Sequence, residues 1–267
     1  MIGVFDSGYG GLTVFRELDK KFPKYDFIYF GDNARAPYGP RSPETIYQYT
    51  KEAVDWLFRE GCELIILACN TASATALRKI QQEYLPQNFP QKRVLGVLIP
   101  VAEEIARQNP NAVGILATKA TVESGAYLKE IKKYGRHSVL TIIQKAAPLL
   151  VPLIEEGWAE HPVTREILKH YLSDFKKENI QNIILGCTHY PFIKHLIRAE
   201  LPEACIFDSP SVIPLALENY LSRHPEIEKR LSKNGLRRYI TTSDSEKFAK
   251  FAKDFLEMNI DAERAIM

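Results

Sequence analysis

Read as a succession of apolar and polar positions, the chain alternates short, unbroken hydrophobic runs with longer stretches whose apolar residues recur every three or four places. A short run with no polar break is the pattern of a strand buried on both faces of a parallel sheet, whereas the longer period is that of a helix with one buried side. The runs fall at residues 2–5, 26–31, 64–67, 94–97, 112–117, 183–186 and 204–207, with less regular β-rich stretches at 138–144 and 239–242. Between them, helices are predicted over about 12–21, from Pro43 to about 61 with Ser42 as cap, and in stretches ending near 84 and 134. Further helices are expected for about two turns from Pro100 and over 163–178, 212–222 and 245–257, while Pro148 and Pro152 bracket a loop. Ile46, Tyr49, Ala53, Trp56 and Leu57 form the expected core stripe of the second helix. Strand and helix in regular alternation give an α/β fold.

Two of the buried runs stop at a cysteine. Residues 64–73 read LIILACNTAS and residues 183–191 read IILGCTHYP, so that ILACNT aligns with ILGCTH. A fainter echo links GVFDS at 3–7 with GILAT at 114–118. Strand-end hydroxyl followed by strand-end cysteine therefore occurs twice in the same order, which predicts two related α/β halves. On that echo, residues 1–94 with 211–267 form a first domain carrying Cys69, and residues 95–210 a second carrying Cys187.

Composition narrows the function. Of 267 residues, 45% are hydrophobic and 25% charged, with a net charge of +2 and both signs interspersed. That is an ordinary globular composition, with no case for nucleic acid or membrane as partner. Four irregularly spaced cysteines form neither a disulfide framework nor a CxxC zinc pattern, so no metal is expected. Neither a basic, apolar leader nor a long apolar run is seen, and cytoplasmic residence with reduced thiols is expected. The loop DSGYGG at 6–11 lacks both GxGxxG spacing and a Walker lysine, which argues against nucleotide binding.

A lone cysteine beside a strand is usually a small buried hydrophobe, and Cys62 and Cys205 are read that way. Cys69 and Cys187 differ, because hydrogen-bonding side chains follow each one at a predicted helix start. Thr71 and Ser73 offer hydroxyls to cap the first of these helices, and a helix N-terminus is expected to lower each thiol's pKa. Matched thiols suit a reaction that needs one proton acceptor and one donor on opposite faces of a carbon, with Asp6 poising Cys69 and His189 poising Cys187.

The segments FDSGYGGLTV, YFGDNARAPYGPRSPETI, LACNTASA and LGCTHYP, in this order over nearly the whole chain, resemble the cofactor-independent aspartate/glutamate racemase superfamily, and within it the glutamate racemases. The resemblance implies two pseudo-symmetric, open parallel-sheet domains of flavodoxin-like or Rossmann-like type, facing each other across a cleft. It implies interconversion of L- and D-glutamate for peptidoglycan, without pyridoxal phosphate or any other cofactor, and a homodimer. By position it makes Cys69 and Cys187 the acid/base thiols, supported by Asp6, His189 and Glu155 of the PLxExG stretch. Substrate contacts fall to Asp6, Ser7, Tyr38, Gly39, Asn70, Thr71, Thr188 and His189, with Thr118 and Thr121 at the matching strand end. Competing readings are an aspartate or hydantoin racemase, a non-catalytic amino-acid-binding module, and thiol redox chemistry. No role is assigned to the segment after Ser222.

Overall fold

Alternating burial explains the architecture from its innermost strand outward. In the computed structural model, which describes residues 1–134 and 140–265, the strands are β1 (Ile2–Asp6), β2 (Phe27–Gly31), β3 (Leu64–Leu67), β4 (Arg93–Gly96), β5 (Ala112–Ala117), β6 (Thr141–Ala146), β7 (Asn182–Gly186), β8 (Cys205–Asp208), β9 (Arg237–Thr241) and β10 (Ala262–Arg264). Ile2 and Val4 of β1 and Leu64 and Ile66 of β3 join one apolar cluster, while Phe5, Ile65 and Leu67 join another on the opposite face. Side chains alternate across a strand, so a sheet built from such runs is covered on both sides.

The described strands form two sheets. One has the order β10-β9-β2-β1-β3-β4, the other β6-β5-β7-β8, and every recorded pairing is parallel. The order β2-β1-β3-β4 in the first sheet repeats as β6-β5-β7-β8 in the second, which is the symmetry the sequence echo predicts. In each, the chain steps to one side of its first strand and then to the other. Strand order thus reverses at β1/β3 and at β5/β7, the positions where open α/β sheets bind ligands beyond the strands' carboxyl ends. The late strand β9 pairs with β2, and β10 with β9, on the outer edge of the first sheet.

Several local expectations shift. The helix Pro43–Arg59 is capped by Ser42 as predicted, but buries Ile46, Thr50, Ala53, Val54, Leu57 and Phe58. Tyr49 and Trp56 lie only half buried at its margin, where Tyr49 takes the Arg35 guanidinium 4.2 Å from its ring centre. The helix around Pro100 runs over Leu98–Gln108, longer than two turns, because a proline in the first turn has no hydrogen bond to lose. The same reason lets Pro152 sit inside the short helix Leu150–Glu155, where a loop was expected. Left-handed Gly125 divides the stretch ending near 134 into Lys119–Ser124 and Ala126–Tyr134. Ser138, the expected start of a strand, lies outside the described residues. Cys62 is buried, but Cys205, at the first position of the edge strand β8, is exposed. Among the described residues no helix is long and apolar enough to cross a membrane.

Candidate active site

The reversal points deliver the polar strand ends to one place. Asp6 ends β1, and Cys69, Thr118 and Cys187 follow β3, β5 and β7. A narrow cavity of about 30 Å³ gathers them, lined by Ser7, Tyr38, Gly39, Cys69, Asn70, Thr71, Thr118, Glu155, Cys187, Thr188 and His189. Asp6 and Thr121, both fully buried, stand behind this lining. Every residue singled out for the site in the sequence is therefore at the cavity or directly against its wall.

Cys69 itself caps the helix Asn70–Thr75: its Sγ accepts from the Ala72 amide at 3.4 Å and donates to Ser7 Oγ at 3.4 Å. The hydroxyls expected to cap are engaged elsewhere. Thr71 Oγ1 lies 2.9 Å from Thr118 Oγ1 and 3.4 Å from Thr121 Oγ1, and Ser73 donates to the Leu67 carbonyl at 2.8 Å. The lowered thiol pKa expected at a helix start is not found here. Burial and then the Asp6 carboxylate push the Cys69 thiol up to about 12, outweighing the help of Ser7 and the Ala72 amide. Two long sulfur hydrogen bonds on a helix of six residues do not replace the water that burial removes.

Asp6 takes a hydrogen bond from the Gly8 amide at 2.9 Å and from the Thr188 hydroxyl at 3.3 Å, across the junction of the two sheets. Burial pushes its pKa up, against the opposing pull of His189 and the Gly11 and Gly8 amides.

On the other side, Cys187 is followed by a turn and the 3-10 helix Tyr190–Ile193 rather than by an α-helix. Its Sγ lies 3.9 Å from His189 Nδ1, and His189 Nε2 lies 2.8 Å from Glu155 Oε1. Burial alone would lower the imidazole pKa, but the bonds to Cys187 and Glu155 dominate and raise it to about 10. His189 is thus an imidazolium at neutral pH, aimed at Cys187 and braced by Glu155. The two thiols stand in unlike surroundings: one beside a carboxylate, the other beside a cation.

Tyr38 and Gly39, expected as substrate contacts, line the cavity from the loop that follows β2. The Tyr38 hydroxyl donates to Asp32, which also takes Arg35 Nε at 2.7 Å and the Thr242 hydroxyl at 2.9 Å. The Gly39 carbonyl accepts from the Ala120 amide at 3.1 Å, and a Cβ on Gly39 would stand 3.2 Å from Thr118 Cβ. Asp32 and Thr242 escaped the sequence reading. A carboxylate directly after a buried strand, the signal that flagged Asp6, was available for Asp32; nothing marked Thr242.

Comparison with known proteins gives a consistent picture. The model of the Asp/Glu/hydantoin racemase family matches residues 2–213. A glutamate racemase from Persephonella marina is 41% identical over 252 residues, covering 93% of this chain and 90% of that protein. Among solved structures, a glutamate racemase from Bacillus anthracis superposes with a TM-score of 0.90 at 30% identity, over 100% of this chain and 97% of that one. One from Francisella tularensis, in complex with D-glutamate, gives 0.87 at 35% identity, over 100% and 96%.

Proposed function

We propose that this chain, which belongs to the Asp/Glu/hydantoin racemase family, interconverts L- and D-glutamate by moving a proton between the two faces of the α-carbon. The observation that carries this reading is the meeting of Cys69 and Cys187, from the ends of two sheets, in one cavity. One thiolate removes the α-proton and the opposite thiol returns one to the other face, so that configuration inverts and no net atom is gained or lost. The chain supplies both proton carriers itself.

Unlike surroundings give the thiols unlike means of activation. His189, held charged by Glu155, stands 3.9 Å from Cys187 Sγ and supplies a positive charge on that side of the cavity. Cys69, pushed up to about 12 in the free protein, lacks such a partner. The substrate's own α-ammonium, entering the cavity beside Cys69 with Asp6 behind its wall, supplies the missing positive charge and lowers both groups on binding. Following the family resemblance, Cys69 acts on D-glutamate and Cys187 on L-glutamate.

Substrate anchoring falls to short donors at the strand ends. Ser7, Asn70, Thr71 and Thr188 hold the α-carboxylate and ammonium, with Thr118 and Thr121 behind Thr71, while Tyr38 and Gly39 close over the side chain. A carboxylate held by fixed donors also stabilises the negative charge that develops when the α-proton leaves.

The wider setting belongs to the same proposal. Residues 1–94 with 211–267 form one domain and 95–210 the other; two chains associate as a homodimer; and the enzyme works in the cytoplasm, supplying D-glutamate to peptidoglycan. Incubating the protein with L-glutamate in D₂O, with no added cofactor, tests the reaction. Optical rotation should decay to zero while deuterium enters the α-position, and retention of both rotation and α-protium would refute it.

A further inference from the structure

Behind the cavity lies a buried tyrosine that the reaction as described does not use. Tyr127, on the helix Ala126–Tyr134, is 0% exposed, and its hydroxyl donates to Asn70 Oδ1 at 2.8 Å. Burial, followed by the nearby Cys187, pushes the phenol's pKa well up, so it keeps its proton, and among the described residues Asn70 Oδ1 is the acceptor recorded for that buried O–H. Asn70 is itself buried, and its Nδ2 makes a long contact, 3.5 Å, with Ser209 Oγ. The two ends of a carboxamide have nearly the same shape, and only their hydrogen bonds decide which way the group faces. With the oxygen held by Tyr127 and one N–H near Ser209, the second N–H is what the amide can offer to the cavity that Asn70 lines. The tyrosine ring reaches the second thiol-bearing strand as well: a Cβ on Gly186, just before Cys187, would stand 3.1 Å from Tyr127 Cε2.

We infer that Tyr127 is a positioning residue, one that holds the Asn70 amide with its oxygen turned away and an N–H free for the cavity, and so makes that wall specific for a carboxylate. Reversed, the same amide would present an oxygen and repel an anion. The inference rests on the proposed binding of glutamate at this site, yet it concerns a residue that does not touch the substrate.

Tyr127→Phe removes one oxygen and keeps the ring that packs on Gly186. KM for both L- and D-glutamate should rise about tenfold, the scale of a lost hydrogen bond to a buried polar group. The change in kcat should be smaller, because both thiols stay in place. In an Asn70→Ala background the same substitution should add nothing to KM, since its effect passes through Asn70. A purely structural role for Tyr127 would instead give additive losses. A KM unmoved by Tyr127→Phe, or a full additional loss in the Asn70→Ala background, overturns the inference. One readout needs no substrate: the Asn70 side-chain amide NMR signals, assigned by their absence in Asn70→Ala, should shift and broaden in Tyr127→Phe. Signals unchanged by the substitution contradict the locking. Should the wild type fail to racemise glutamate, the reaction proposed above falls, and the NMR comparison still decides this one.

Discussion

Gly10 lies so close to Thr188 that a Cβ on the glycine would stand 2.4 Å from the threonine hydroxyl and 2.6 Å from His189 Nδ1. The turn after β1 is therefore pressed directly against the strand end that carries Cys187, and the close approach requires a residue without a side chain. Gly10→Ala should push Thr188 and His189 out of register, lowering kcat/KM at least about a hundredfold, as displacement of catalytic groups by about 1 Å can do. Far-UV circular dichroism should remain that of the wild type. Full activity in this variant would show that the contact is not part of the working site.

Tyr38 reaches the cavity from a loop fixed at its base by Asp32, and Asp32 is held in turn by Thr242 at the end of β9. The Ala34 amide also donates to Thr242 Oγ1 at 3.0 Å. This gives a role to the segment after Ser222, which completes the first sheet and pins the closing loop. Thr242→Val keeps the shape and removes the hydroxyl, so the Asp32 bond is lost while the sheet survives. Steady-state kinetics should show a KM for glutamate raised about threefold to tenfold, from a bond of about 1 kcal/mol. An unchanged KM would mean that the loop holds its place without Thr242.

His189 links the site to stability. Its folded pKa is raised to about 10 from an ordinary 6.5. Protonation therefore favours the folded chain. This contribution is complete below about pH 6.5 and is lost as pH rises through about 10. The Tm of the wild type should accordingly fall relative to that of His189→Gln as pH is taken from 6.5 to 10. Titrating groups away from His189 are common to both proteins and cancel in the difference. A Tm difference that stays flat across this range would mean that the imidazole is not held charged.

The strands were legible because their cause is local. Runs such as LIIL at 64–67 bury both faces of a strand wherever it lies, and their order with the intervening helices sets the sheet. Partner choice was less legible. Thr71 looked like a helix cap, but Thr118, from a strand end 47 residues away, takes its hydroxyl and leaves the cap to Cys69. The thiol pKa was misjudged for a related reason. A helix start is visible in sequence, whereas the burial and the Asp6 carboxylate that outweigh it exist only in the folded chain. Tyr127 carried no signal at all, since a tyrosine on the apolar face of a helix reads as core. The three-residue strand β10, partly exposed and paired with β9, has no hydrophobic pattern to announce it.

The central claim is that Cys69 and Cys187 act on opposite faces of one carbon, and single serine variants test it most directly. A serine hydroxyl is barely ionised near neutral pH and makes a far weaker base than a cysteine thiol. Cys69→Ser and Cys187→Ser should therefore each lose racemisation, while each keeps one working thiol. A glutamate analogue with a β-leaving group exposes what remains, because elimination needs removal of the α-proton but no return of one from the far side. With the two variants and both enantiomers of that analogue, Cys187→Ser should eliminate from the D form and Cys69→Ser from the L form. Elimination from the same enantiomer by both variants, or racemisation by either near the wild-type rate, would contradict the two-thiol mechanism.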